Sequence, residues 1–127
     1  MKPPDERVAL VEAFCEAWSG PDWERIEALL AAEILYLNGP LPPLRGHAAV
    51  MNYLQSAGPF DAVRWDILHI ARRGDTVLTE RVDRMWMDGR TVALPIMGAF
   101  RLENGLIAEW RDYFDLASYR AQQTAVD

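Results

Sequence analysis

The sequence predicts an α+β fold in which helices pack on one face of a curved, largely antiparallel sheet. Three observations predict it. Apolar residues recur at three- and four-residue spacing in the first 56 residues, and at two-residue spacing in the second half. Two short segments, Asp88-Gly89 and Asn104-Gly105, carry the dipeptides favoured in tight hairpins. Helical segments followed by hairpin-linked strands give helix-on-sheet packing rather than a doubly wound sheet.

The elements follow in order. Val8, Val11, Phe14, Cys15 and Trp18 make one apolar helical stripe. Ser19-Gly20-Pro21 breaks it, with Pro21 placed to open a second helix whose buried face is Trp23, Ile26, Leu29 and Leu30. A short strand over 34–38 runs into the loop Gly39-Pro40-Leu41-Pro42-Pro43. After Gly46 a third helix carries Val50, Met51 and Leu54. Strands are expected near 61–72, 76–87, 91–102 and 106–115, and a terminal helix or tail over Leu116–Thr124. Pro95 inside a strand marks an edge or a bulge, because it donates no ladder hydrogen bond.

Length and composition bound the function. A chain of 127 residues, half of them apolar, reads as one domain over residues 1–127, able to bury roughly two thirds of its unfolded surface. A net charge of −6 argues against nucleic-acid and acidic-membrane partners. No apolar run is long enough to span a bilayer, and Met1 to Val8 lack a signal peptide's apolar core, so a cytoplasmic protein is expected. The lone Cys15 and two dispersed histidines, His47 and His69, leave no zinc cluster. No cofactor site is visible.

The chemistry concentrates in two strands. Along residues 106–116, one parity holds Leu106, Ala108, Trp110, Asp112, Phe114 and Leu116, so Asp112 is a carboxylate on a dry face. Along residues 76–87, Arg81 and Asp83 share a face with Val77, Thr79, Met85 and Met87. They lie ~6–7 Å apart along a strand. If both faces line one concavity, Asp83, Arg81 and Asp112 meet in an apolar pocket. With both carboxylates ionised the trio carries −1, and one added proton makes it neutral. Repulsion and desolvation favour holding that proton while Arg81 opposes it, so the pair titrates as a unit. An acid beside a base is what concerted push–pull chemistry requires. The alternative is an ion network that only ties two strands together. Tyr36 and Asn38 share a parity on the first strand and together could hold a water. Met85, Leu94, Ile96 and Phe114 fall on faces consistent with a substrate-binding wall. Cys15 reads as a core thiol, the five tryptophans mostly as packing, and Glu80, Arg84, Glu109 and Arg111 as a solvated or interface face.

Three segments, Tyr36-Leu-Asn38-Gly-Pro-Leu-Pro-Pro43, Glu80-Arg81-Val82-Asp83 and Trp110-Arg111-Asp112-Tyr113-Phe114-Asp115-Leu116, resemble in order and spacing the limonene-1,2-epoxide hydrolase family. The resemblance implies a mixed, largely antiparallel sheet curled into a cone, as in the nuclear-transport-factor-2-like and SnoaL-like proteins, and a homodimer. It implies cofactor-independent hydrolysis of a compact apolar epoxide in one step. Asp112 would be the base, Asp83 the acid and Arg81 the bridge between them, with Tyr36 and Asn38 holding the water. The segment between Met85 and Leu94 is about two residues shorter than the family pattern. Two rivals share the fold: a ketosteroid-isomerase or polyketide-cyclase-like enzyme, and a non-catalytic small-molecule-binding domain. Neither needs two aspartates around an arginine.

Overall fold

The computed structural model describes residues 5–124, so the first four residues of the N-terminal stretch read above lie outside the described residues. The chain runs α1 (Glu6–Ala17), α2 (Trp23–Ala28), β1 (Leu30–Asn38), β2 (Leu44–Arg45), α3 (His47–Ser56), β3 (Ala62–Arg73), β4 (Thr76–Met87), β5 (Arg90–Glu103), β6 (Leu106–Tyr113) and α4 (Leu116–Thr124). The six strands form one sheet in the order β2-β1-β6-β5-β4-β3. Only β1 and β6 run parallel; the other neighbours are antiparallel. This is the mixed α+β architecture expected from the sequence.

Local chemistry sets the boundaries. The Asp5 carboxylate accepts from the Arg7 and Val8 amides and opens α1. Asp22, not Pro21, caps α2, because its carboxylate accepts the Arg25 N–H. That helix ends at Ala28, so Leu30, expected on its buried face, instead begins β1 and is buried there. The first strand is therefore longer than its apolar run suggested, and β2 was not foreseen: two residues pair with Leu35 and Tyr36. Both Asp-Gly and Asn-Gly close two-residue hairpins, with positive φ at Asp88, Gly89, Asn104 and Gly105, the signature of a type I′ turn.

Two strand irregularities reshape the faces. Arg101 pairs with Glu109 but Leu102 with Ile107, leaving Ala108 unopposed. The bulge resets the alternation, so Ile107, read from parity as wet, is fully buried in the same core as Trp110. Pro95 lies on an unbulged stretch of β5, opposite Val82. Pairing with β6 begins only at Met97, so this part of β5 is a local edge. Ala93, of the same parity, gives its N–H to Gln122 of α4 at 2.8 Å. The missing proline N–H therefore falls on the side that needs no strand partner.

The main core lies between the helices and the concave sheet face. Phe14, fully buried, meets Trp110, Phe100 and Trp65 edge-on at 5.1, 5.8 and 6.1 Å between centroids. A smaller cluster, Val92, Leu94 and Ile96, packs against Phe114 and Tyr119. Phe14 ties α1 to three strands at once. Phe14→Ala should destabilise the fold by about 3–5 kcal/mol, read as a lower urea midpoint; a change under about 1 kcal/mol would contradict this account of the core.

Candidate active site

β4 and β6 are not neighbours in the sheet. They flank β5, and the register aligns Asp83 with Leu94, Arg81 with Ile96, Thr79 with Gly98, and Gly98 in turn with Asp112. On the other side of β6, parallel pairing sets Tyr36 beside Trp110 and Asn38 beside Asp112. All five polar residues singled out in the sequence thus converge on one stretch of the concave face.

At its centre is Arg81, with no exposed side-chain surface. Its Nε and Nη2 donate to Asp83 Oδ1 and Oδ2, both at 3.0 Å, a two-pronged fork. Nη2 also donates to Asp112 Oδ2 at 3.2 Å, and Nη1 to Thr79 Oγ1 at 3.0 Å. The Trp65 ring lies 4.4 Å from the guanidinium carbon, giving the buried cation a π face. Burial opposes the charge on Arg81, but Asp112 and Asp83 offset it and raise the guanidinium pKa further. Burial pushes the Asp83 carboxyl up to about 6, against the pull of Arg81. The Asp112 carboxylate is used on one oxygen only. Oδ1 is buried with no hydrogen bond from any described residue.

Gly98 makes the arrangement possible. A Cβ there would stand 2.4 Å from Arg81 Nη1, 2.8 Å from Thr79 Oγ1 and 2.9 Å from Asp112 Oδ1. No side chain other than hydrogen leaves room for the guanidinium to cross β5 between the two carboxylates.

Above this charged floor a cleft opens to solvent. Asp83, Asp112, Tyr36 and Asn38 line it, as do Met85, Leu94, Ile96 and Phe114. Arg81 does not, being sealed beneath its partners. Tyr36 stacks on Trp110 at 4.0 Å, and burial first, then the nearby Asp112 charge, raises its phenol well above the usual range. That keeps the hydroxyl a donor. The Gly39 amide donates to Asp112 O at 2.8 Å and fixes the end of β1 against β6.

Sequence reasoning passed over several neighbours. Thr79 shares the Arg81 face without a role legible from parity, and Trp65 is one of the tryptophans that read as packing. Gly98 had only the signal of a glycine inside a strand. Tyr53, Phe60 and Tyr119 also line the cleft; they come from α3, the segment after it and α4, whose contacts no strand periodicity discloses. The remaining polar residues fall elsewhere. His69 pairs with Glu80 on exposed surface, His47 Nε2 lies 2.7 Å from Leu30 O, and burial pushes the Cys15 thiol up to about 12. Among the described residues, no group of three or more His, Cys, Asp or Glu side chains is placed to hold a metal ion. No described helix is long and apolar enough to cross a membrane.

Comparison with known proteins gives the family. A sequence model of the limonene-1,2-epoxide hydrolase catalytic domain matches residues 5–124. Epoxide hydrolase EphG of Mycobacterium tuberculosis (strain ATCC 25618 / H37Rv) is 32% identical over 109 residues, spanning 84% of this chain and 71% of that protein. The solved structure of an M. tuberculosis LEH-like epoxide hydrolase superposes with a TM-score of 0.82 at 29% identity, over 92% of this chain and 88% of that one. A putative polyketide cyclase from Xanthomonas campestris pv. campestris is similar at a TM-score of 0.77 and 26% identity, over 92% and 96% of the two chains. An NTF2-like protein from Burkholderia pseudomallei K96243, at 20% identity and a TM-score of 0.85 over 96% and 100%, shares the fold. The chain belongs to the limonene-1,2-epoxide hydrolase family.

Proposed function

We propose that residues 1–127 form one domain that opens a compact apolar epoxide, terpenoid or cycloalkene-derived, to a vicinal diol in one step and without a cofactor. The observation that carries this reading is the orphaned Asp112 Oδ1. It is a buried carboxylate oxygen at the floor of an apolar cleft, while its sister oxygen is held by the arginine that also grips Asp83.

Water sits between Tyr36, Asn38 and Asp112. Asp112 Oδ1 takes one proton as the water oxygen forms a bond to an epoxide carbon. The C–O bond on that carbon breaks, and Asp83 gives its proton to the departing oxygen. Asp112 ends protonated and Asp83 ionised, so the net charge of the trio is unchanged through the step. Arg81 stays charged throughout and keeps both carboxyls in place. Met85, Leu94, Ile96 and Phe114 supply the wall against which the hydrocarbon lies. The exposed back of the sheet carries Leu68, Leu78, Met97 and Tyr113, and we read it as the contact with a second copy in a cytoplasmic homodimer. An isomerase abstracting a carbon-bound proton would use one carboxylate and would have no use for a second tied to it through arginine.

Diol formation from limonene oxide, cyclohexene oxide and styrene oxide tests the reading. Asp112→Asn and Asp83→Asn should each lower kcat at least a hundredfold with the fold intact, and the double variant should be little worse than either, because the two act as a unit. Retention of more than a tenth of the wild-type rate, under about 1.4 kcal/mol in the barrier, would remove that residue's role. The pH dependence has a definite sign. The acid must hold its proton in the free enzyme, so kcat/KM should fall as pH rises through the Asp83 titration near 6. A kcat/KM that keeps rising from pH 6 to about 9 would contradict the assignment of Asp83.

A further inference from the structure

Tyr53 has no part in the acid–base scheme, yet its hydroxyl touches a residue that does. Asn38 Nδ2 donates to Tyr53 Oη at 2.8 Å. Tyr53 stands on α3, anchored by the buried Val50, Met51 and Leu54, and its ring lies 6.1 Å from that of Tyr36. The Asn38 backbone is already fixed: its carbonyl accepts from the Leu41 amide at 3.1 Å, and the next amide, Gly39, donates to Asp112 O. What remains free is rotation of the Asn38 carboxamide.

That rotation matters to a nucleophilic water, which has two protons and two lone pairs. One proton goes to Asp112. One lone pair must stay free to attack carbon, and the Tyr36 hydroxyl can donate to the other. The second proton then needs an acceptor, which the Oδ1 end of Asn38 provides. Turned the other way, Asn38 would present N–H donors that compete for the attacking lone pair.

We infer that Tyr53 is a positioning residue: its hydroxyl holds the Asn38 carboxamide, and while it accepts the Nδ2 proton the Oδ1 end is left for the water. The inference rests on the hydrolase reading and deepens it. Tyr53 need not touch substrate; it acts through Asn38.

Tyr53→Phe removes one oxygen and keeps the ring, so it separates this role from packing. Losing one neutral hydrogen bond should lower kcat about three- to tenfold, with KM within about twofold. In an Asn38→Ala background the same change should alter kcat by less than about twofold, because the partner it acts through is gone. The Asn38 side-chain amide resonances should also move in Tyr53→Phe. An unchanged kcat, a rise in KM alone, or an equal loss in both backgrounds would overturn the inference. A wild type that yields no diol from any epoxide sinks the hydrolase reading and the catalytic role with it. The hydrogen bond is then decided by the amide resonances alone, and stands only if they move.

Discussion

A guanidinium with no exposed surface is the constraint around which this protein is organised. Moving such a cation out of water costs several kcal/mol unless it is paired and hydrogen-bonded, and Arg81 is both. Four of its five N–H donors have partners within 3.2 Å: two on Asp83, one on Asp112 and one on Thr79. The partners come from β4 itself and from β6, two strands away, so meeting the demand fixes the register of three strands at once. It also requires the strand between them to present nothing, which Gly98 does. The aromatic packing of Phe14, Trp18, Trp65 and Trp110 then closes over the site.

The same constraint underlies the proposed chemistry and sets its cost. With four of its five donors engaged, Arg81 holds two carboxyls at fixed places and leaves Oδ1 of Asp112 without a hydrogen bond from any described residue. Two carboxylates around one cation leave an excess negative charge in an apolar place, and a shared proton relieves it. The linkage has a clear sign. Asp83 titrates higher in the fold than in the unfolded chain, so the folded state binds more protons between roughly pH 4 and 6, and stability falls as pH rises through that window. Above it the protein carries an ionised Asp83 that burial disfavours. On the proposed mechanism this is stability given up for function, at the residue that would donate the proton.

Much of this was legible in the sequence because strands alternate strictly. Parity alone put Arg81 with Asp83 and set Asp112 among apolar neighbours, and the Asp-Gly and Asn-Gly turns fixed which strands are adjacent. What parity missed has a common physical origin. The Ala108 bulge resets the alternation and buries Ile107, a shift no two-residue period encodes. Leu30 fits an apolar helical stripe as well as an apolar strand, and the helix in fact stops at Ala28 with Leu29 as its C-cap. Tyr53 reaches the cleft from a helix whose docking depends on contacts far along the chain. Gly98 and Thr79 were visible residues whose importance appears only once Arg81 is seen to lie across them.

On the proposed mechanism water, not a protein carboxylate, attacks the epoxide. A single turnover in water enriched in oxygen-18, with enzyme in excess over epoxide, tests it most directly. One-step attack places the label in the diol on the first turnover and leaves the protein unlabelled. An unlabelled first-turnover diol, with oxygen-18 appearing in Asp112 or Asp83, would instead show an ester intermediate and contradict the account.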